Sequence, residues 1–141
     1  MRICISIALL STLSFSHLAN AAEIDLSTKS EQTSFTETGR YAEVEQLCHK
    51  FARAHPKQVR CFAFGTSPEG RSMWALAANS NGNTTPELAR KANLPVTLFQ
   101  GGIHAGEIDG KDAGFLVLRE LLQAPGKDNP LNHQVMLFVP V

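Results

Sequence analysis

A histidine and a glutamate three residues apart are the side chains in this sequence best suited to chemistry. His104 and Glu107 lie in the stretch 101–108, which reads GGIHAGEI. Neutral imidazole and carboxylate groups are both good zinc ligands. The glycines allow a sharp backbone path, so that two side chains at this spacing can reach one ion. The pattern indicates a candidate zinc site.

An alternative without a metal explains the same pair. A helix is predicted directly after the loop, with Asp109 as its N-cap and Asp112 in its first turn. Glu107 would then be a carboxylate favoured by the helix dipole, and His104 would be a surface histidine beside it. The spacing alone leaves both interpretations open.

The elements around the loop strengthen the metal interpretation. The apolar run Val96–Gln100 is typical of a strand buried on both faces. The helix after the loop should extend to about Leu122, and 134–141 is a further apolar strand. This order predicts a right-handed βαβ unit with parallel strands, and ligands bind at the carboxyl ends of such strands. The predicted buried stripe of the helix consists of Ala113, Leu116, Val117 and Leu121.

The first half of the domain is predicted to supply a helix and a hairpin. Apolar residues recur at helical spacing over Tyr41–Ala54. Strands are predicted at Val59–Phe64 and Ser72–Ala78, joined by the turn-forming stretch 65–70. Proline after Thr85 marks the start of a short helix. We therefore expect an α/β fold, a layered α/β/α sandwich whose mixed sheet combines an antiparallel hairpin with a parallel βαβ unit.

The N-terminus predicts export. Residues 1–21 have the layout of a secretory signal peptide, with Arg2, an apolar stretch and a small-residue site that favours cleavage after Ala21. A short membrane anchor is the alternative, but the stretch is short for a span, and we expect none in the mature chain. Polar residues 22–39 are predicted to form a flexible leader before the domain at 40–141. The expected location is secreted or periplasmic.

Two cysteines would stay in the mature chain, because Cys4 leaves with the signal peptide. Cys48 lies on the apolar face of the predicted helix and Cys61 on the first strand, so the two meet if the helix packs on the sheet. In an oxidising compartment such a pair is a disulfide candidate. The alternative is two small buried apolar side chains. Their separation disfavours a metal role.

The composition excludes some classes of function. The 141 residues are 43% hydrophobic and 18% charged, which is typical of a folded domain rather than a disordered chain. Thirteen basic and thirteen acidic residues give a net charge of zero, so no broad electrostatic attraction to nucleic acid is expected.

Three segments together resemble the zinc carboxypeptidase (peptidase M14) family. The stretch 101–107 is similar to that family's HxxE zinc loop. The turn GTSPEGR at 65–71 resembles its Gly-x-Ser-x-Glu-Gly-Arg turn, and FVPV at 138–141 resembles the strand that leads into its Asn-Pro or Asn-x-Asp-Gly segment. The resemblance covers about residues 39–141.

The resemblance implies an exported metallocarboxypeptidase that hydrolyses C-terminal peptide bonds. Zn²⁺ would be held by two histidines and one glutamate, with a water in the fourth position. His104 matches the first ligand and Glu107 the second. In the family, the third ligand, the general-base glutamate, the carboxylate-binding arginine and the substrate-clamping tyrosine all lie downstream, which here means beyond Val141. We therefore expect a truncated catalytic domain that is inactive by itself.

One departure from the family keeps other functions open. Digestive members have arginine immediately before the ligand glutamate, where this chain has Gly106. An amidase or deacylase acting on cell-wall peptides or acyl amino acids is one alternative. A non-catalytic binding module or inactive fragment is another. Within the chain, His133 is the best candidate for a third ligand, but it is predicted just before a strand, at the end opposite the candidate site. Lys111 and Asp112 are predicted on an exposed helix face.

Overall fold

A computed structural model describes residues 23–104, 106–124 and 126–141 of the chain. The predicted signal peptide, residues 1–21, lies outside the described residues. The elements in chain order are α1 (Lys29–Gln32), α2 (Tyr41–Ala54), β1 (Val59–Thr66), β2 (Ser72–Ala78), α3 (Pro86–Lys91), β3 (Val96–Gln100), α4 (Asp109–Gln123), a 3₁₀ turn (Pro130–Asn132) and β4 (Val135–Val139).

The four strands form one mixed sheet in the order β1-β2-β4-β3. Strand β2 is antiparallel to both β1 and β4, whereas β3 and β4 are parallel. The hairpin, the parallel βαβ unit and the α/β class are therefore confirmed. Because β4 is antiparallel to β2 and parallel to β3, the carboxyl ends of β3 and β4 lie at the same end of the sheet as the turn between β1 and β2.

One face of the sheet, here called the covered face, packs against α2 and α4. Its core centres on Phe51 of α2, Phe115 of α4 and Phe138 of β4, all fully buried. The Phe115 ring centroid lies 5.7 Å from that of Phe51 and 5.1 Å from that of Phe138. The predicted helix Tyr41–Ala54 is confirmed, and its four apolar residues at helical spacing are all buried.

The opposite face, here called the open face, has much less cover. Helix α3 packs there through Ala89, which contacts a small cluster containing Ala77 and Val135. Every residue of β3 is exposed, including Leu98 at 58%. The prediction that β3 is buried on both faces is wrong. Among the described strands β3 pairs with β4 alone, so it lies at the edge of the sheet.

Helix α4 is rotated relative to its predicted stripe. Asp109 is its first residue and Ile108 occupies the N-cap position, with no side-chain cap. Ala113 and Val117 are exposed, whereas Gly114, Phe115 and Leu118 are buried. A side chain at 114 would collide with the rings of Phe138 and Phe99, so the glycine brings this side of the helix against the sheet. The periodicity of apolar residues alone does not predict this close approach of helix and sheet.

Residues 23–31 pack on the fold, unlike the flexible leader that their composition predicts, whereas residues 34–37 are exposed. Leu26 joins the main core, and Thr28 and Glu31 form a capping box at the start of α1. Arg119 of α4 donates to both carboxylate oxygens of Glu31. This bond to Arg119 is the main reason that the pKa of Glu31 is lowered. The segment therefore docks on α4.

A disulfide joins α2 to β1 across the covered face. The sulfurs of Cys48 and Cys61 are 2.04 Å apart and the Cα atoms 5.4 Å apart. Cys48 is fully buried, whereas Cys61 is half-buried. Across the described ranges of the chain, no helix is long and apolar enough to cross a bilayer.

Candidate metal centre

The loop that carries His104 and Glu107 begins and ends at one tight contact. Gly101 follows β3 and faces Gly110 in the first turn of α4. A Cβ atom at 101 would lie 2.7 Å from the carbonyl carbon of Gly110 and 2.9 Å from the carbonyl oxygen of Pro140. These distances are shorter than any side chain tolerates, so the chain has to be glycine there for strand, helix and loop to meet.

Two further glycines bend the loop itself. Gly102 and Gly106 have φ values of 54° and 93°, in the left-handed region that L side chains rarely adopt. The amide of Glu107 donates to the carbonyl oxygen of His104 at 3.2 Å, which closes a turn between them. The local sequence therefore brings the two candidate ligands together.

The imidazole and the carboxylate are in direct contact. Nδ1 of His104 lies 3.1 Å from Oε1 and 3.0 Å from Oε2 of Glu107. The side chains are 75% and 61% exposed. Both side chains are open to solvent, and as it stands the contact is a surface hydrogen bond or ion pair.

The donor types fit zinc, but the number of protein donors does not complete a site. Catalytic zinc usually takes three protein ligands and a water. In the part of the chain that the structure describes, no group of three His, Cys, Asp or Glu side chains could hold a metal ion. The pair therefore offers one imidazole and one carboxylate, and any third protein ligand has to come from other residues.

His133, His49 and Arg71 have partners other than this pair. Nε2 of His133 lies 3.0 Å from the carbonyl oxygen of Lys127. His133 comes just before β4, so it lies at the end of the strands opposite the loop. His49 packs edge-on against Trp74, with ring centroids 4.8 Å apart. Arg71 pairs with Glu69 at 3.0 Å.

The hairpin turn lies at the same end of the strands as the loop. Ser67 and Arg71 close the turn through a backbone hydrogen bond of 2.8 Å. Arg71, Tyr41 and Val141 line one shallow cleft. A Cβ atom at Gly102 would lie 2.7 Å from the side chain of Val141, so the end of β4 connects the cleft to the loop. The two motifs therefore lie on one side of the molecule.

Sequence reasoning missed the two charged residues that follow the loop. Lys111 and Asp112 were predicted on an exposed helix face, but they are 2% and 9% exposed. Lys111 donates to Glu43 of α2 at 2.6 Å and to Asp112, and Asp112 accepts from Thr38 at 2.7 Å. The prediction was wrong because Glu43 and Thr38 are distant in sequence from α4. The one available signal was that the position of Lys111 falls one turn before Phe115.

Comparison with known proteins identifies the family. The sequence profile of the zinc carboxypeptidases, Peptidase M14, matches residues 44–141. The chain belongs to the zinc carboxypeptidase family. The predicted resemblance is therefore confirmed.

Three solved structures share the fold of this chain. Carboxypeptidase A from Helicoverpa armigera superposes with a TM-score of 0.60 at 22% identity, over 73% of this chain and 24% of that one. Thrombin-activatable fibrinolysis inhibitor gives 0.62 at 18% identity, over 77% and 26%. The bovine form of that protein, in complex with tick carboxypeptidase inhibitor, gives 0.60 at 18% identity, over 74% and 31%.

These superpositions cover only part of each solved structure. The chain spans about a quarter to a third of the length of those three proteins. At such identities the likeness establishes the fold. No curated protein sequence matches the chain.

Proposed function

We propose that this chain contributes to an exported zinc-dependent carboxypeptidase in which His104 and Glu107 are two of the zinc ligands. The observation that carries the proposal is the contact of one imidazole nitrogen with both carboxylate oxygens at the carboxyl end of β3. Membership of the zinc carboxypeptidase family supports it independently. Zinc bound there would polarise the scissile carbonyl and lower the pKa of its water.

The chain itself supplies the position and orientation of the two ligands. The glycine contact at 101 and 110 fixes both ends of the loop, and the turn from His104 to Glu107 holds the side chains on one side. Their exposure leaves room for a further protein ligand and for substrate. We place the third ligand, the general base and the residues that bind the substrate's terminal carboxylate outside the described residues.

Export is part of the same proposal. The N-terminal stretch has the layout of a signal peptide, and disulfides persist mainly in oxidising compartments. The joined sulfurs of Cys48 and Cys61 agree with such a compartment. The substrate would then be an extracellular or periplasmic peptide.

A second candidate reaction is amide hydrolysis on cell-wall peptides or acyl amino acids. Gly106 has a φ of 93°, and among the described residues no atom beyond its two chain neighbours lies within 4 Å of the place where its Cβ would be. An arginine, as in digestive members, would be strained in this conformation. The space next to Glu107 is therefore open, which favours a substrate different from that of the digestive enzymes.

Zinc content and affinity test the ligand assignment. We expect His104→Ala and Glu107→Ala each to lower the zinc affinity of the protein at least about 10-fold, because each removes a direct ligand. His133→Ala is the matched control, since it removes an exposed histidine at the opposite end of the strands. The measurements are competition with a chromophoric chelator and metal analysis after dialysis. Unchanged zinc binding in His104→Ala would refute the assignment.

Activity separates the two candidate reactions. A protein that also carries the third ligand and the general base is assayed for release of the C-terminal residue from blocked dipeptides and for cleavage of amide bonds in wall peptides. If the protein is a carboxypeptidase, it releases the C-terminal residue from the dipeptides, and His104→Ala abolishes this release. Cleavage of wall peptides alone would favour the second candidate.

A further inference from the structure

Beside the candidate metal loop lies a buried lysine that the proposed function does not use. The side chain of Lys111 is 3% exposed. Burying an ammonium group is costly unless charged partners and hydrogen bonds replace its water. Lys111 has two such partners: Glu43, at 2.6 Å, and its neighbour Asp112.

The partners of Lys111 connect separate parts of the fold. Glu43 lies in α2, and its second oxygen accepts from the backbone amide of Lys29 at 2.5 Å. The second oxygen of Asp112 accepts from the hydroxyl of Thr38 at 2.7 Å. We call Lys111, Glu43 and Asp112 the buried triad. It ties the first turn of α4 to α2 and to the segment before it.

The backbone of Lys111 forms part of the base of the metal loop. A Cβ atom at Gly101 would lie 2.8 Å from the backbone nitrogen of Lys111. The amide of Asp112 donates to the carbonyl oxygen of Ile108, the last loop residue, at 3.2 Å. The residues held by the buried triad are therefore the ones that both ends of the loop touch.

Beyond its base, the described part of the loop is held through Gly102, which packs closely against Pro140 and Val141. Its candidate ligands are exposed, and Ile103 and Ile108 are 66% and 44% exposed. No side-chain cap holds the start of α4. The loop is therefore placed by the close packing of Gly101 and Gly102 on the first turn of α4 and the end of β4, and the buried triad anchors that turn.

We propose that Lys111 is a positioning residue for the His104–Glu107 pair. Its ammonium group, neutralised by Glu43 and Asp112, holds the first turn of α4 against the end of β3 so that the base of the loop cannot widen. The inference rests on the proposed function in so far as the positioned pair binds zinc. The positioning itself is a property of the apoprotein as well.

Helix α4 offers a matched control for simple loss of stability. Arg119 lies eight residues after Lys111, about two turns further along the helix. It also forms a largely buried ion pair, with Glu31, and both side chains are 20% exposed or less. Arg119→Met therefore removes an ion pair of the same helix without touching the base of the loop.

The experiment compares Lys111→Met with Arg119→Met in the full chain. We expect Lys111→Met to lower zinc affinity about 10-fold and to change the visible absorption of the Co²⁺-loaded protein, since residues that orient ligands typically have such effects. The amide of Glu107 should exchange with solvent faster in the zinc-free variant. Arg119→Met should lose a similar amount of denaturant stability with neither change.

Two outcomes overturn the proposal. Equal changes in both variants would mean that the effect is general destabilisation, and no change in Lys111→Met would mean that the loop holds its own position. If Lys111→Met does not fold, Glu43→Gln is used instead, because this substitution removes the charge of one partner of Lys111 and keeps the shape of the side chain. The same comparison with Arg119→Met then decides.

The experiment also separates this inference from the proposed function. If the unmodified protein binds no zinc through His104 and Glu107, the proposed function fails. The exchange rate of the Glu107 amide in the zinc-free variants then decides the positioning role alone. If zinc binds equally well to both variants, the proposed function stands and the positioning role fails.

Discussion

The two faces of the sheet differ in what covers their apolar side chains. On the covered face, Leu76 and Phe138 are fully buried beneath α2 and α4. On the open face, Val96 and Leu98 at the β3 edge are 54% and 58% exposed. The strand residues that point to the two faces are comparably apolar in sequence. Burial was decided by whether a helix of the described chain packs over them.

This difference predicts where the folding free energy comes from. Burying apolar surface contributes roughly 25 cal/mol per Å². The covered face should therefore supply most of the stability, with α3 adding a smaller share on the other side. Substitutions of the same kind on the two faces should differ widely in effect.

The largest effect is expected for Phe51→Ala on the covered face. Phe51 is fully buried and packs on Phe115, so its removal should lower the free energy of unfolding by about 3–5 kcal/mol. Phe64→Ala is the control, because Phe64 is 48% exposed at the end of β1. Urea unfolding with comparison of m-values measures both. Equal losses would contradict the difference between buried and exposed sites.

The next effect is expected for the disulfide under α2. Replacing Cys48 and Cys61 with alanine should lower the free energy of unfolding by roughly 2–4 kcal/mol, because the bridge restricts the unfolded chain. Mass measurement of the unmodified protein should show a gain of two hydrogen masses on reduction. Free thiols before reduction would refute the bridge, and with it one argument for an oxidising compartment.

The smallest effect is expected for Leu98→Lys on the open face. Leu98 is largely exposed, so the free energy of unfolding should change by less than about 0.5 kcal/mol. A lysine at an exposed edge opposes strand pairing between molecules, so self-association should decrease. Light scattering and urea unfolding measure the two quantities. A loss comparable to that of Phe51→Ala would mean that β3 is covered in solution.

Local patterns predicted the elements well. The bounds of α2, β2 and β3 agree with the periodicity of Tyr41–Ala54, Ser72–Ala78 and Val96–Gln100. The loop with His104 and Glu107 was also predictable, because glycine conformations and a spacing of three act over a few residues. Such features depend on neighbours in sequence and can therefore be inferred from the sequence alone.

Contacts between distant residues were not predictable in the same way. The rotation of α4 depends on Gly114 meeting Phe138, and the burial of Lys111 depends on Glu43, 68 positions away. The packing of residues 23–31 depends on Arg119 and the core. Composition and periodicity describe what a side chain prefers, but they do not specify its distant partner.

The sequence by itself determined the strands, the helices, the glycine-bent loop and the family resemblance, because each depends on residues close together in the chain. The tertiary structure decided which face of α4 is buried, that β3 is an exposed edge and that Lys111 anchors the first turn of α4. The physical reason is that burial and ion pairing are properties of contacts between elements, and those contacts exist only after the chain has folded.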